Sequence, residues 1–183
     1  MKRMILSVIG YDRPGIVAYV AQTLADLNCN IENVSQTTLQ GTFAGIFTAA
    51  CPTNVTCEAL ETVFSAGISD NKLKIHVDPI MDAAAVDKKP TQHFVVTTKG
   101  PDGQGLVAGI TRVLANHKAN ISNLQAYFRG GTDADDNGMI YQVEVPLDTD
   151  LSALRQALRD KAQELNLEIS IQHNDIFMAV NRV

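Results

Sequence analysis

Gly10-Tyr11-Asp12-Arg13-Pro14-Gly15-Ile16-Val17-Ala18 is matched 90 residues later by Gly100-Pro101-Asp102-Gly103-Gln104-Gly105-Leu106-Val107-Ala108. The correspondence runs on through Leu24-Ala25 over Leu114-Ala115 and Asn30-Ile31-Glu32-Asn33 over Asn120-Ile121-Ser122-Asn123. Ten positions between 10 and 34 are identical at this spacing: Gly10, Asp12, Gly15, Val17, Ala18, Leu24, Ala25, Asn30, Ile31 and Asn33. Further on the spacing becomes 94, which sets Pro52 over Pro146. The four extra residues fall in the turn-like stretch Gly130–Gly138, where a structural repeat tolerates an insertion. The chain is therefore a duplication, and one unit can be read from the other.

Each unit has the same order of patterns. Met4–Ile9 and Phe94–Thr98 are short and β-prone. Helical spacing follows, with apolar Ile16, Val17, Val20, Leu24 and Leu27 in the first unit and Leu106, Val107, Ile110, Val113 and Leu114 in the second. Two extended runs joined by a turn come next: Ile31–Leu39 with Phe43–Cys51, and Ile121–Phe128 with Met139–Pro146. A second helix is predicted over Cys57–Ala66, and again over Leu151–Leu165 behind an Asp148-Thr149-Asp150 cap. Lys72–Asp78 and Leu167–His173 are the last strands. The order β-α-β-β-α-β, twice, predicts an α+β protein of two ferredoxin-like units, each an antiparallel sheet with both helices on one face. The units are expected at 1–80 and 92–183, joined by a linker at 81–91. Each core is modest, so the units are expected to pack through their sheets or to dimerise.

Composition narrows the function. With 183 residues, 45% hydrophobic and 19% charged, the chain is an ordinary globular one and not a disordered one. Its formal charge of −5 is spread over both units, so neither has the basic footprint of a direct nucleic-acid binder. No apolar run approaches a membrane span, and the apolar part of Met1–Ile9 is too short for a signal peptide, so the expectation is a strand in a cytoplasmic protein with no membrane contact. Cys29, Cys51 and Cys57 lack the close pairing of a zinc site and read as buried free thiols. The four histidines are scattered and suggest no metal.

The strand-to-helix corner offers chemistry. Pro14 suits a first helical turn, Gly15 lets the backbone approach a neighbour, and the helix beyond presents unpaired N–H groups and a positive dipole end. A carboxylate fits there. Asp12 could accept from an ammonium, and Asn30 could both donate and accept. Together these are the handles an amino acid needs, and Asp102, Gly103, Gln104, Gly105 and Asn120 repeat the set. The plainer reading is that Asp12 and Asp102 cap helices and that Asn30 and Asn120 supply left-handed turn residues.

Asp12-Arg13-Pro14-Gly15-Ile16-Val17, followed by Leu27-Asn28-Cys29-Asn30-Ile31, resembles the ACT domain, a regulatory module of βαββαβ fold. A stand-alone tandem pair of this length resembles the glycine cleavage system transcriptional repressor family. The resemblance implies a non-enzymatic protein, without cofactor, that binds an amino acid or similar small molecule at an interface between units. It also implies action on a protein partner such as a transcription regulator, and a homodimer. The implied ligand-contacting residues are Asp12, Arg13, Pro14, Gly15, Ile16, Asn30 and Ile31, and Asp102, Gly103, Gln104, Gly105, Leu106, Asn120 and Ile121. The second unit departs from the pattern by lacking the Arg-Pro pair.

Three other readings touch some of these residues. Asp133, Asp135 and Asn137 with Gly138 and Glu144 fit the calcium-loop spacing, but strands rather than helices flank them, so an acidic hairpin tip is preferred. Arg13 and Asn33 imitate the loop Arg and strand Asn of small phosphatases that share this fold, but the phosphate-cradling loop is missing. A ligand-independent interaction or assembly module is the remaining alternative.

Overall fold

The computed structural model describes residues 1–67, 73–80, 90–128 and 137–174. The chain divides into two compact units, Met1–Val86 and Asp87–Val183; most of the expected linker lies outside the described residues. In the first unit the order is β1 (Lys2–Tyr11), α1 (Ile16–Asp26), β2 (Asn30–Leu39), β3 (Thr42–Cys51), α2 (Cys57–Gly67) and β4 (Leu73–Pro79). The second repeats it as β5 (Thr91–Lys99), α3 (Leu106–Asn116), β6 (Asn120–Phe128), β7 (Asn137–Pro146), α4 (Leu151–Glu164) and β8 (Glu168–His173). The sheets run β2-β3-β1-β4 and β6-β7-β5-β8, and every pairing is antiparallel. Two βαββαβ units are thus present.

Alternation builds one face of each sheet. Met4, Leu6 and Val8 on β1 and Phe43, Phe47, Ala49 and Cys51 on β3 point to the same side and are buried. Ile16, Val20 and Leu24 of α1, four residues apart, meet them there with Leu60 and Phe64 of α2. In the second unit Phe94, Val96, Met139, Tyr141 and Val143 meet Leu106, Ile110 and Leu114 of α3 and Leu154, Leu158 and Ala162 of α4. Two substitutions between the repeats put hydroxyls into this second core: Tyr141 stands where the first unit has Phe47, and Thr98 where it has Val8. Thr98 is buried and its hydroxyl has no hydrogen-bond partner.

One expectation about cysteine is corrected. Cys29 and Cys51 are joined by a disulfide, with Cα atoms 4.2 Å apart, and Cys57 is the free thiol. The reason is the hairpin register. Asn30 pairs with Ala50, so the residue before β2 lies beside the residue that ends β3. Twenty-two positions of sequence separation conceal that adjacency.

Candidate functional site

The corner between β1 and α1 is held by the β2–β3 hairpin. The Asp12 amide donates to the Gly41 carbonyl at 2.8 Å, and the Thr38 hydroxyl donates to Asp12 Oδ2 at 3.4 Å. Pro14 precedes the helix rather than entering its first turn, because Gly15 is the N-cap. Gly15 has φ 95° and Gly105 has φ 80°, a region that other residues enter only under strain. Neither helix has a side-chain cap. The other two do: Asp150 accepts from the Ser152 and Ala153 amides at 2.9 and 3.0 Å, and Thr56 accepts from the Ala59 amide at 3.1 Å. The helices that follow the two matched corners are therefore the ones whose N-terminal amides no side chain occupies.

The plainer readings of these residues do not hold. Asp12 is four residues ahead of Ile16 and caps nothing, and the same is true of Asp102 ahead of Leu106. The left-handed residues after the helices are Asn28, φ 56°, and Lys118, φ 57°, not Asn30 and Asn120. Asn30 and Asn120 open strands. Ala50 stands across the ladder from Asn30, whereas Glu144 stands across from Asn120 and accepts from its amide at 3.4 Å.

The handles do not converge within one unit. Asp12 follows Tyr11, which pairs with Thr42; Asn30 pairs with Ala50 at the far end of the same strand. Eight residues of β3 separate the two levels, roughly 26 Å at the rise of a strand. Arg13, Pro14, Gly15 and Ile16 lie with Asp12, and Ile31 lies with Asn30. In the second unit Asp102, Gly103, Gln104, Gly105 and Leu106 lie at one end and Asn120 and Ile121 at the other. Asn33 pairs with Thr48, about 20 Å along the sheet from the corner that carries Arg13, so the phosphatase-like pair is not assembled.

Two grooves were not foreseen from the sequence. One, about 500 Å³, is lined by Lys2, Arg3, Thr56, Cys57, Glu58 and Ile80. It lies at the Asn30 end of the first sheet, where Arg3 pairs with Glu32 at 2.8 Å. The other, about 550 Å³, runs beside α3 between Ala108, Thr111, Arg112 and Ala115 and opens on Asn120 and Ile121. The first joins the two ends of the unit to the start of α2, elements far apart in sequence, and the second lies between α3 and the start of the next strand, where no periodicity signals it.

Of the calcium pattern, Asp133 and Asp135 lie outside the described residues. Asn137 is buried at the start of β7, and Glu144 lies seven residues along the same strand, roughly 23 Å away. The two cannot close on one ion. Among the described residues no group of three His, Cys, Asp or Glu side chains could hold a metal, and no helix is long and apolar enough to cross a membrane.

The backbone strain at the corners is testable. Nothing lies within 4 Å of a Cβ added at Gly15 or Gly105, so alanine there meets only its own backbone. Gly15→Ala and Gly105→Ala are each expected to cost about 1–2 kcal/mol in chemical unfolding. An unchanged midpoint in both would show that the left-handed corner is not required.

Comparison with known proteins gives these features a context. The profile of the ACT domain matches residues 2–78 and, separately, residues 92–172. A UPF0237 protein of Methanopyrus kandleri is 37% identical over 91 residues, which cover 49% of this chain and 96% of that one. Among solved structures, an unknown protein from Galdieria sulphuraria superposes with a TM-score of 0.77 at 22% identity, covering 94% of this chain and 98% of that one. A candidate glycine cleavage system transcriptional repressor superposes with a TM-score of 0.67 at 17% identity, covering 93% and 96%. At these identities the two structures share the fold.

Proposed function

Since the chain belongs to the ACT-domain family, with both of its units matched, and is thereby a regulatory protein, we propose that it is a non-enzymatic sensor of an amino acid or a similar small molecule. The observation that carries this reading is the pair of uncapped helix starts behind Gly15 and Gly105. Their amides and dipole ends suit a ligand carboxylate. Asp12, presented on the hairpin side of the corner, suits the ammonium. Arg13, Pro14 and Ile16 shape the corner, and Asp102, Gly103, Gln104 and Leu106 do so in the second unit.

Asn30 and Ile31 act on the ligand from another unit, because within one unit they are a sheet's length from Asp12. The site is completed by a second copy of the chain: the corner of one protomer faces the strand start of its partner. Asn120 and Ile121 have the same relation to the second corner. Binding and assembly are then linked, and a ligand that prefers one arrangement shifts the population toward it. That arrangement is the one recognised by a protein partner in the cytoplasm, of the transcription-regulator kind, with no direct contact to nucleic acid. Unit one is the main site, because Asn120 already donates to Glu144 while Asn30 faces an alanine.

A thermal-shift screen of the full chain against the twenty amino acids tests this. One of them, at 100 times its dissociation constant, is expected to add about 2.7 kcal/mol of stability. Asp12→Ala and Asn30→Ala should each remove the shift. If no amino acid stabilises the protein, the ligand-independent assembly module is the better reading.

A further inference from the structure

We propose that Cys29 and Cys51 are a site of reversible oxidation by a low-molecular-weight disulfide, and that the bond they form sets the amino-acid response of the first unit. The ligand half of this inference rests on the reading above; the oxidation site does not.

The bond joins two particular places. Cys29 is the residue before Asn30, at the entry to β2. Cys51 ends β3 and pairs with Lys2 of β1, inside the sheet. β2 is an edge strand, exposed along nearly all of its length, and its ladder to β3 shifts register between Ile31 and Asn33. A bulge leaves the ladder locally disrupted. Asn30 therefore sits between a bulge and a turn, held by its short stretch of ladder to Ala50 and by the covalent tie on its N-terminal side.

The fold does not need the tie. The second unit has the same strand order and the same register shift, between Ile121 and Asn123. At the two equivalent places it has Ala119 and Val145, both buried and not covalently linked. As thiols, Cys29 and Cys51 would be small apolar side chains of the same kind in the same core. Both redox forms are thus compatible with the architecture, and only the freedom of the strand start differs.

Cys57 does not compete for the bond. Burial, with Glu58, Asp78 and Glu61 nearby, pushes its thiol up, which keeps it protonated and slow to react. Of the pair, Cys29 is the less enclosed, at 6% exposure against 0% for Cys51, so Cys29 reacts first. Its thiolate attacks one sulfur of the small disulfide, and one small thiolate leaves. The Cys51 thiolate then displaces the second small thiolate from the mixed disulfide. Two protein thiols are oxidised, one small disulfide is reduced to two thiols, and excess thiol reverses both steps.

The test uses the full chain equilibrated with oxidised or with reduced glutathione, then denatured and alkylated. One alkylated cysteine is expected after oxidation and three after reduction. The oxidised form should melt higher, by roughly 10 °C in its first unit. Across the amino-acid screen, the dissociation constant of the responding ligand should differ at least fivefold between the two forms. The double variant Cys29→Ala with Cys51→Val, which copies the second unit, should bind the ligand with the reduced form's dissociation constant in either buffer. Three alkylated cysteines after oxidised glutathione would overturn the oxidation site. A single alkylated cysteine with the same dissociation constant in both forms would overturn the coupling. A single alkylated cysteine with no response to any amino acid would overturn the sensor reading and the coupling with it, leaving the oxidation site supported.

Discussion

Phe47→Ala is expected to destabilise the first unit by about 3–5 kcal/mol. Phe47 is fully buried on the helix-facing side of β3, across from Leu6 of β1 and Val34 of β2. Two residues away stands Gly45, and a Cβ built there would come within 2.8 Å of the Phe43 ring and 3.0 Å of the Phe47 ring. Both rings lean over the glycine and fill the space its missing side chain leaves. Truncating one opens a cavity in the centre of the sheet that glycine cannot help to close. Small domains have total stabilities of about 5–15 kcal/mol, so the first unit should lose most of its margin. Guanidinium unfolding followed through the first unit's own signals would measure it. A loss below about 1 kcal/mol would mean that the core is not organised around this ring.

At alkaline pH the second unit should weaken, and Tyr141→Phe should remove the part of the weakening that this side chain causes. Tyr141 occupies the place of Phe47, is fully buried, and donates to the Met139 sulfur at 3.0 Å. Burial pushes its phenol up to about 12. An unfolded tyrosine ionises near pH 10. Below pH 10 the phenol is neutral in both states and contributes no pH dependence. Between pH 10 and 12 the unfolded chain loses the proton while the folded one keeps it, so stability falls as pH rises. The loss attributable to this side chain approaches about 2–3 kcal/mol by pH 12. Other groups titrate alike in wild type and variant, so the difference between the two unfolding curves isolates Tyr141. That difference should be small at pH 7 and should move in favour of the phenylalanine variant above pH 10. A difference constant from pH 8 to pH 12 would show that the phenol is not held neutral.

Much of the fold could be read from residues 10–18 and 100–108 because the constraint there is local. Gly15 and Gly105 recur since both corners need a left-handed residue, and the apolar spacing behind them is the period of a helix on a sheet. Asp150 was legible as a cap for the same reason, being immediately before its helix. What the sequence concealed depends on pairing between distant residues. Gly10 and Tyr11 extend β1 beyond its apolar run because the hairpin at Thr42 and Phe43 reaches up to bond them. Asp12 and Asn30 looked like one constellation, but α1 carries the chain back along the sheet before Asn30 begins β2. Cys29 and Cys51 meet only once the β2–β3 register is known. Thr98 in a buried strand position was unpredictable from pattern, since threonine is a good strand residue at the surface and an unsatisfied one in a core.

The claim on which the account depends is that a ligand is gripped by the corner of one protomer and the strand start of its partner. Calorimetric titration of an equimolar mixture of Asp12→Ala and Asn30→Ala chains, after subunit exchange, tests it most directly, with the amino acid that the screen identifies as titrant. Neither variant alone should bind. In the mixture, half of the dimers carry one intact pairing of Asp12 with Asn30, so heat corresponding to about a quarter of the wild-type first-unit sites should return. A mixture as silent as its components, or either variant binding like the wild type, would contradict a site shared between copies.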